Sequence, residues 1–274
     1  MTTTCPTLFA AHDSNLIRLP ADVVKLRDAR ERAETHLRDL QPPPHWRNAL
    51  DDLTDETVEA FIGGAAVPSV APVLDAERAS RAFDHDLDIG RNALAALDRR
   101  VAAALADQAD ALITDVLRPV FDTVVGELRD AYALLEPFEG AGTWALALAE
   151  LKVRKAAANV EDQTHRYSVL CSAAAEVRKL VPPPEHDEDN EFVAFTDVHT
   201  VYPRRSRTGI AATAAPWTHE PDPQAWQLRN LTPWLPTPAE QDAKYREVYA
   251  EEIEAQRVRA EQHRAMALTF GHGH

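Results

Sequence analysis

The chain has two cysteines and nine glycines among 274 residues, and aromatic side chains make up only 7% of it. Each scarcity excludes something. Cys5 and Cys171 cannot build a disulfide framework and carry no metal-ligand spacing, which points to a reducing, cytoplasmic setting. With glycine so scarce, backbone cradles for phosphate are hard to build. The sequence has no Rossmann fingerprint, P-loop or GxSxG elbow, so no nucleotide or cofactor is expected. Long apolar runs are missing too. The longest weakly polar window, Ala141 to Leu151, is about half of what a bilayer span requires. Met1 to Leu19 is polar and lacks the apolar segment of a signal peptide, so neither membrane nor secretion is expected.

Positive charge is the other deficit. Lysine and arginine number 29 against 44 aspartates and glutamates, for a net charge of −15. Binding duplex nucleic acid takes a basic face that neutralises phosphates, so the chain as a whole is a poor partner for it. Lys25, Lys152, Lys155, Lys179 and Lys244 are the only lysines. Arginine therefore dominates the basic residues, and with abundant alanine this reads first as coding bias.

What is present is helical periodicity. Residues 20–40 read as a first helix, ended by Pro42-Pro43-Pro44 because proline lacks a donor and pushes its predecessor out of the helical region. A short helix is expected over 55–62, with Thr54 as N-cap, Leu53 and Val58 as a staple, and Gly63-Gly64 as the stop. From 75 to 135 apolar residues recur at threes and fours, among them Phe83, Leu87, Leu94, Val101, Leu112 and Leu128. A continuous helix of that length would reach roughly 90 Å. Gly90 and Pro119 are expected to break its straightness.

Glu136 to Gly142 reads as a turn, and Thr143 as the cap of a second long helix to about Val181. That helix carries a heptad stripe of Val153, Ala157, Val160, Thr164, Tyr167, Cys171 and Ala174. Two long amphipathic helices and a short turn predict an antiparallel, coiled-coil-like hairpin. Folded about residue 139, it would leave the first arm overhanging by about 22 residues, roughly 33 Å at helical rise. That apolar overhang, with Phe83 and Leu87 on it, needs cover from the N-terminal helices or from another chain.

Beyond Val181 the composition changes. Pro182-Pro183-Pro184 and the acidic run to Glu191 form a linker, and residues 192–202 give the one strand signal. Its expected partner is Thr208 to Thr213, or a sheet in another protein. Pro203 to Pro238 is proline-studded and carries Trp217, Trp226 and Trp234, so it is expected to wrap something. Those tryptophans fit intermolecular anchors and packing on the chain's own hairpin equally well. Arg204, Arg205 and Arg207 form the one basic cluster, suited to phosphate or an acidic partner surface, or to pairing with the chain's own acidic run from Glu185 to Glu191. Thr237-Pro238-Ala239-Glu240 spells a helix start with cap, first-turn proline and capping glutamate.

The remaining chemistry is thin. Asp84, Asp86 and Asp88 resemble a calcium loop, but Ile89 and Ala95 stand where its glycine and bidentate glutamate belong. A solvated helix face is the stronger reading. His272 and His274 end the chain without an HExxH or i,i+4 pair, so no metal site is expected. Cys171 reads as a buried small hydrophobe on the seam, and Cys5 as incidental in a mobile N-terminus.

The expected fold is mainly α. N-terminal helices and proline linkers occupy 1–72, the hairpin 73–181, a Trp/Pro-rich arm with at most one small β-hairpin 182–237, and a charged helix 238–274. The function expected is that of a non-enzymatic assembly protein that self-associates through helices and clasps a neighbour with its arm. A component of a phage or phage-like particle is the setting considered. The alternative is an adaptor that captures one protein partner with the Trp/Pro arm or strand. Partner contacts are expected at Trp217, Trp226, Trp234, Arg204, Arg205, Arg207, Phe83 and Leu87.

Overall fold

The computed structural model describes residues 4–138, 143–183, 192–202, 215–220 and 222–270. In chain order its helices are α1 (Pro6–Asp13), α2 (Ala21–Asp39), α3 (Trp46–Gly63), α4 (Ala71–Asp107), α5 (Ala109–Ala111), α6 (Arg118–Leu135), α7 (Thr143–Leu148), α8 (Leu151–Arg178), α9 (Val198–Val201), α10 (Pro223–Asn230) and α11 (Pro238–Phe270). Among the described residues the protein is mainly α and has no strand, only an isolated antiparallel bridge between Phe195 and Pro233. The chain divides into two units, one of Met1–Thr4 with Pro20–Ala104, the other of Cys5–Leu19 with Leu105–His274.

In the first unit α2 lies against α4. Arg30 is buried on α2 and donates from Nε to Asp98 Oδ1 on α4 at 2.9 Å, with Glu34 as its second carboxylate. About two turns further along, Gly90 of α4 faces Leu37. A Cβ at Gly90 would fall inside van der Waals contact of the leucine side chain. Helix α4 runs unbroken through this residue, so the expected break at Gly90 is replaced by a close approach of Leu37 that a Cβ would push aside. The covered stripe of α4 includes Val73, Leu94 and Val101.

Helix α3 begins nine residues earlier than its local signals suggest. His45 caps it, its Nδ1 accepting from the Arg47 amide at 3.1 Å. Thr54, expected as the N-cap, sits mid-helix and donates its hydroxyl to the Leu50 carbonyl at 2.8 Å. Leu53 and Val58 therefore both lie within α3 and are no staple. Gly64 ends the helix in the left-handed region at φ 69°, as the Gly63-Gly64 pair predicts.

In the second unit α6 and α1 both pack on α8. The core joins Leu112, Leu117, Phe121 and Leu128 with Leu170, Ala173, Ala174 and Val177. Phe121 meets Tyr167 with ring centroids 5.4 Å apart, whereas folding about residue 139 would set it opposite residue 157. The register differs because the second arm is interrupted. Helix α7 ends at Leu148, and α8 starts only after Glu150, whose backbone is extended at ψ 152°.

The approach to Pro119 is also irregular, although not at the proline. Leu112–Leu117 forms a π-turn whose Leu112, Ile113 and Leu117 are buried, and α6 opens immediately after it with Pro119 in its first turn. A wide turn there accommodates a residue that cannot donate to the helix ladder.

From Cys5 through α1 the chain is packed rather than loose. Leu8, Phe9 and Ala11 of α1 are buried, and Glu176 of α8 receives the Thr7 and Leu8 amides at 3.1 and 3.0 Å. Cys5, just ahead of them, is buried with φ 54°.

The expected strand at 192–202 does not form. Phe195 bridges to Pro233, with Trp234 N donating to Ala194 O and Thr196 N to Thr232 O, both at 3.0 Å. Asp197 then turns the chain into α9. Its carboxylate takes the amide and hydroxyl of Thr232 at 2.8 Å, and its carbonyl accepts from Thr200. The local bond from the Thr200 hydroxyl to the Asp197 carbonyl competes with a ladder. The pairing segment is 232–234, and Thr208 to Thr213 lie outside the described residues.

Candidate interaction surface

Helix α3 has no fully buried residue. Trp46, Ala49, Leu53, Thr57 and Ala60, at helical spacing, are half-buried and form its less exposed side. Beside that stripe, Val58, Phe61 and Ile62 stand 49%, 70% and 75% exposed. The apolar exposure continues along the connector and into α4 through Val67, Val70 and Leu74. Isolated exposed apolar residues are ordinary, and a run of this kind is a candidate interaction surface. Around it the helix carries Asp51, Asp52, Asp55, Glu56 and Glu59 against Arg47 alone, so the surface is apolar with an acidic border.

A second unsupported stretch lies at the C-terminus. Thr237 and Glu240 start α11 as their sequence predicts: the Glu240 amide donates to Thr237 Oγ1 at 3.2 Å and the Thr237 amide to Glu240 Oε2 at 2.8 Å. Tyr245 and Tyr249 are buried, and at Tyr249 the backbone leaves helical geometry with φ −111°. Beyond it, residues 257–264 are exposed.

The tryptophans expected to anchor a partner are half-buried and pack against the chain's own cluster of Phe192, Phe195, Val198, Leu231, Tyr245 and Tyr249. Trp217 and Trp226 meet at 5.9 Å, and Trp234 Nε1 donates to Phe192 O at 2.9 Å. The described part of the arm is held in place by arginines that the residue pattern does not single out. Arg129 of α6 donates to Leu228 O and Leu231 O at 2.8 and 2.7 Å, and Arg118 donates to Leu235 O at 2.8 Å. Arg178 of α8 reaches Val193 O at 3.3 Å. Each guanidinium fork satisfies carbonyls at the end of α10 or in irregular chain. No local spacing announces such pairs, because donor and acceptor lie far apart in sequence.

Phe83 and Leu87 are half-buried and fall in the covered stripe of α4. Arg204, Arg205 and Arg207 lie outside the described residues, as do His272 and His274. Asp84, Asp86 and Asp88 are exposed. Among the described residues no cluster of three or more His, Cys, Asp or Glu could hold a metal ion. None of the described helices is long and apolar enough to cross a membrane.

The cysteines are poor nucleophiles. Burial, with the Glu176 charge adding to it, pushes the Cys5 thiol up to about 11. Burial likewise raises Cys171 to about 11, although a hydrogen bond with Tyr167 opposes it.

Compared with known proteins, the chain matches no family model, no curated protein and no solved structure.

Proposed function

We propose that this chain is a non-enzymatic assembly protein whose copies associate through helix faces, with α3 as the main contact. The observation that carries this reading is the exposure of Phe61 and Ile62 beside Val58 on a helix with no fully buried residue. Fully burying side chains of this size is worth roughly 1.5–3 kcal/mol each before the costs of association. The distal half of α11 supports the same reading, since an isolated helix of that length is marginal in water and gains from a neighbour. A multi-copy particle, phage or phage-like, is the setting in which we place it.

The coiled-coil-like packing expected for the hairpin belongs to this proposal as its rigid scaffold. The described part of the arm is engaged within its own unit, so association is assigned to helix faces and not to a clasp. Light scattering after size exclusion on the full chain tests the proposal. A mass that is a multiple of 30.3 kDa supports it. A 30.3 kDa species at every concentration rejects self-association and leaves capture of a different protein, the adaptor reading.

A further inference from the structure

The second unit contains a cavity of about 450 Å³ beside Trp226, a volume in the range of small-molecule sites. Its apolar wall comes from Leu135 of α6, Leu146 of α7, and Ala157 and Val160 of α8. Three rings border it: Tyr132, Phe138 and Trp226. Its charged groups, Glu220, Asp222 and Arg229, all come from α10 and the chain just before it. The cavity is thus apolar and aromatic on one side and charged on the other.

The charged side is biased. Two exposed carboxylates and one exposed guanidinium line it, and Arg229 is already engaged, its guanidinium 5.9 Å from the centre of the Tyr132 ring. Asp222 is fixed in position, because Oδ1 accepts the Ala225 amide at 2.9 Å as the cap of α10. An anionic ligand would meet both carboxylates, and a neutral apolar one would cover them without replacing their water. A cation with an apolar body satisfies both sides, with its charge near the carboxylates and the face of an aromatic ring. The net charge of −15 favours the same sign of ligand.

We infer that this cavity is a binding site for a small organic ammonium ion with an apolar or aromatic body. The inference is independent of α3 and of self-association.

Three probes of the same body and different charge test it on the full chain: 2-phenylethylammonium, 2-phenylethanol and 3-phenylpropionate, titrated by calorimetry and ligand-observed NMR. The cation is expected to bind at least tenfold more tightly than the alcohol, with the carboxylate weakest. In the Glu220→Gln, Asp222→Asn double variant the preference should fall to near one. Asparagine is as good an N-cap as aspartate, so α10 should keep its start, and circular dichroism checks that it does. Trp226→Leu should weaken the cation and the alcohol alike. Equal binding of all three probes, preference for the carboxylate, no binding of any probe, or a cation preference that survives the double variant would each overturn the inference.

Discussion

Arg118 of α6 and Glu240 at the start of α11 form a two-bond pair, with Nη1 donating to Oε1 at 3.1 Å and Nη2 to Oε2. The same glutamate closes the capping box on Thr237. Arg118 also holds the Leu235 carbonyl, so one guanidinium joins α6 to both the arm and the last helix.

A pH dependence follows from that pair. Partial burial alone would raise the Glu240 carboxyl, but bonds from Arg118 and the Thr237 amide outweigh it and hold the group below its ordinary value. A carboxylate lowered on folding stabilises above its unfolded pKa and loses that contribution as pH falls through the lower folded value. Glu240→Gln should therefore lower stability by about 1 kcal/mol near neutrality, in line with cap and exposed-pair losses. The gap to the parent should close in acid, below the ordinary glutamate range. Thermal melts of both proteins across pH check this, and a gap that is constant with pH would contradict it.

Arg129→Met removes the donors to Leu228 O and Leu231 O. Both carbonyls lie in the arm, and bonds from a charged donor are worth roughly 1.5–3 kcal/mol. Since Arg129 is exposed, water replaces part of this, and a loss of about 1 kcal/mol is expected. Tryptophan emission should shift to the red, because Trp226 and Trp234 flank the released carbonyls.

In the first unit, Arg30→Leu leaves Asp98 without its 2.9 Å partner. Breaking a buried pair by removing one member typically costs about 3–5 kcal/mol. Asp98 is partly solvated, so roughly 2–3 kcal/mol is expected here. Hydrogen exchange should rise in α2 and α4 around these residues. No change in either helix would contradict the packing described.

The two thiols give a further check. With Cys5 and Cys171 each raised to about 11, iodoacetamide at mildly alkaline pH should label neither until denaturant unfolds the second unit. Fast labelling of Cys5 alone would show α1 undocked from α8.

Much of the helical order is legible in the residues themselves. The span of α2, the Gly63-Gly64 stop and the Thr237 to Glu240 start are local signals, read by neighbours in sequence. What local pattern does not carry is set by distant partners. Helix α1 depends on Glu176, far along the chain, to satisfy its first amides. The path of 192–202 is decided by Asp197 holding Thr232, and the place of Gly90 by Leu37. The hairpin register could not be read from the turn signal at Glu136 to Gly142, because the interruption at Glu150 moves it. Phe61 and Ile62 had only a weak mark, an apolar pair beside the Gly63-Gly64 stop.

Salt sharpens the question of association. Copies carrying a charge of −15 repel one another, while burial of Phe61 and Ile62 does not depend on screening. Self-association through α3 should strengthen from low to physiological ionic strength. Weakening over that range would indicate a contact made of ion pairs.

The most direct measurement is sedimentation equilibrium of the full chain beside its Phe61→Asp, Ile62→Asp variant. Both side chains are exposed, and aspartates in the last turn of α3 oppose its dipole, so the substitution should lower folding stability by no more than about 1–2 kcal/mol. Association through α3 predicts a parent mass rising with concentration to a multiple of 30.3 kDa and a variant that stays at 30.3 kDa. A parent that never exceeds 30.3 kDa, or a variant that associates as well as the parent, would contradict it.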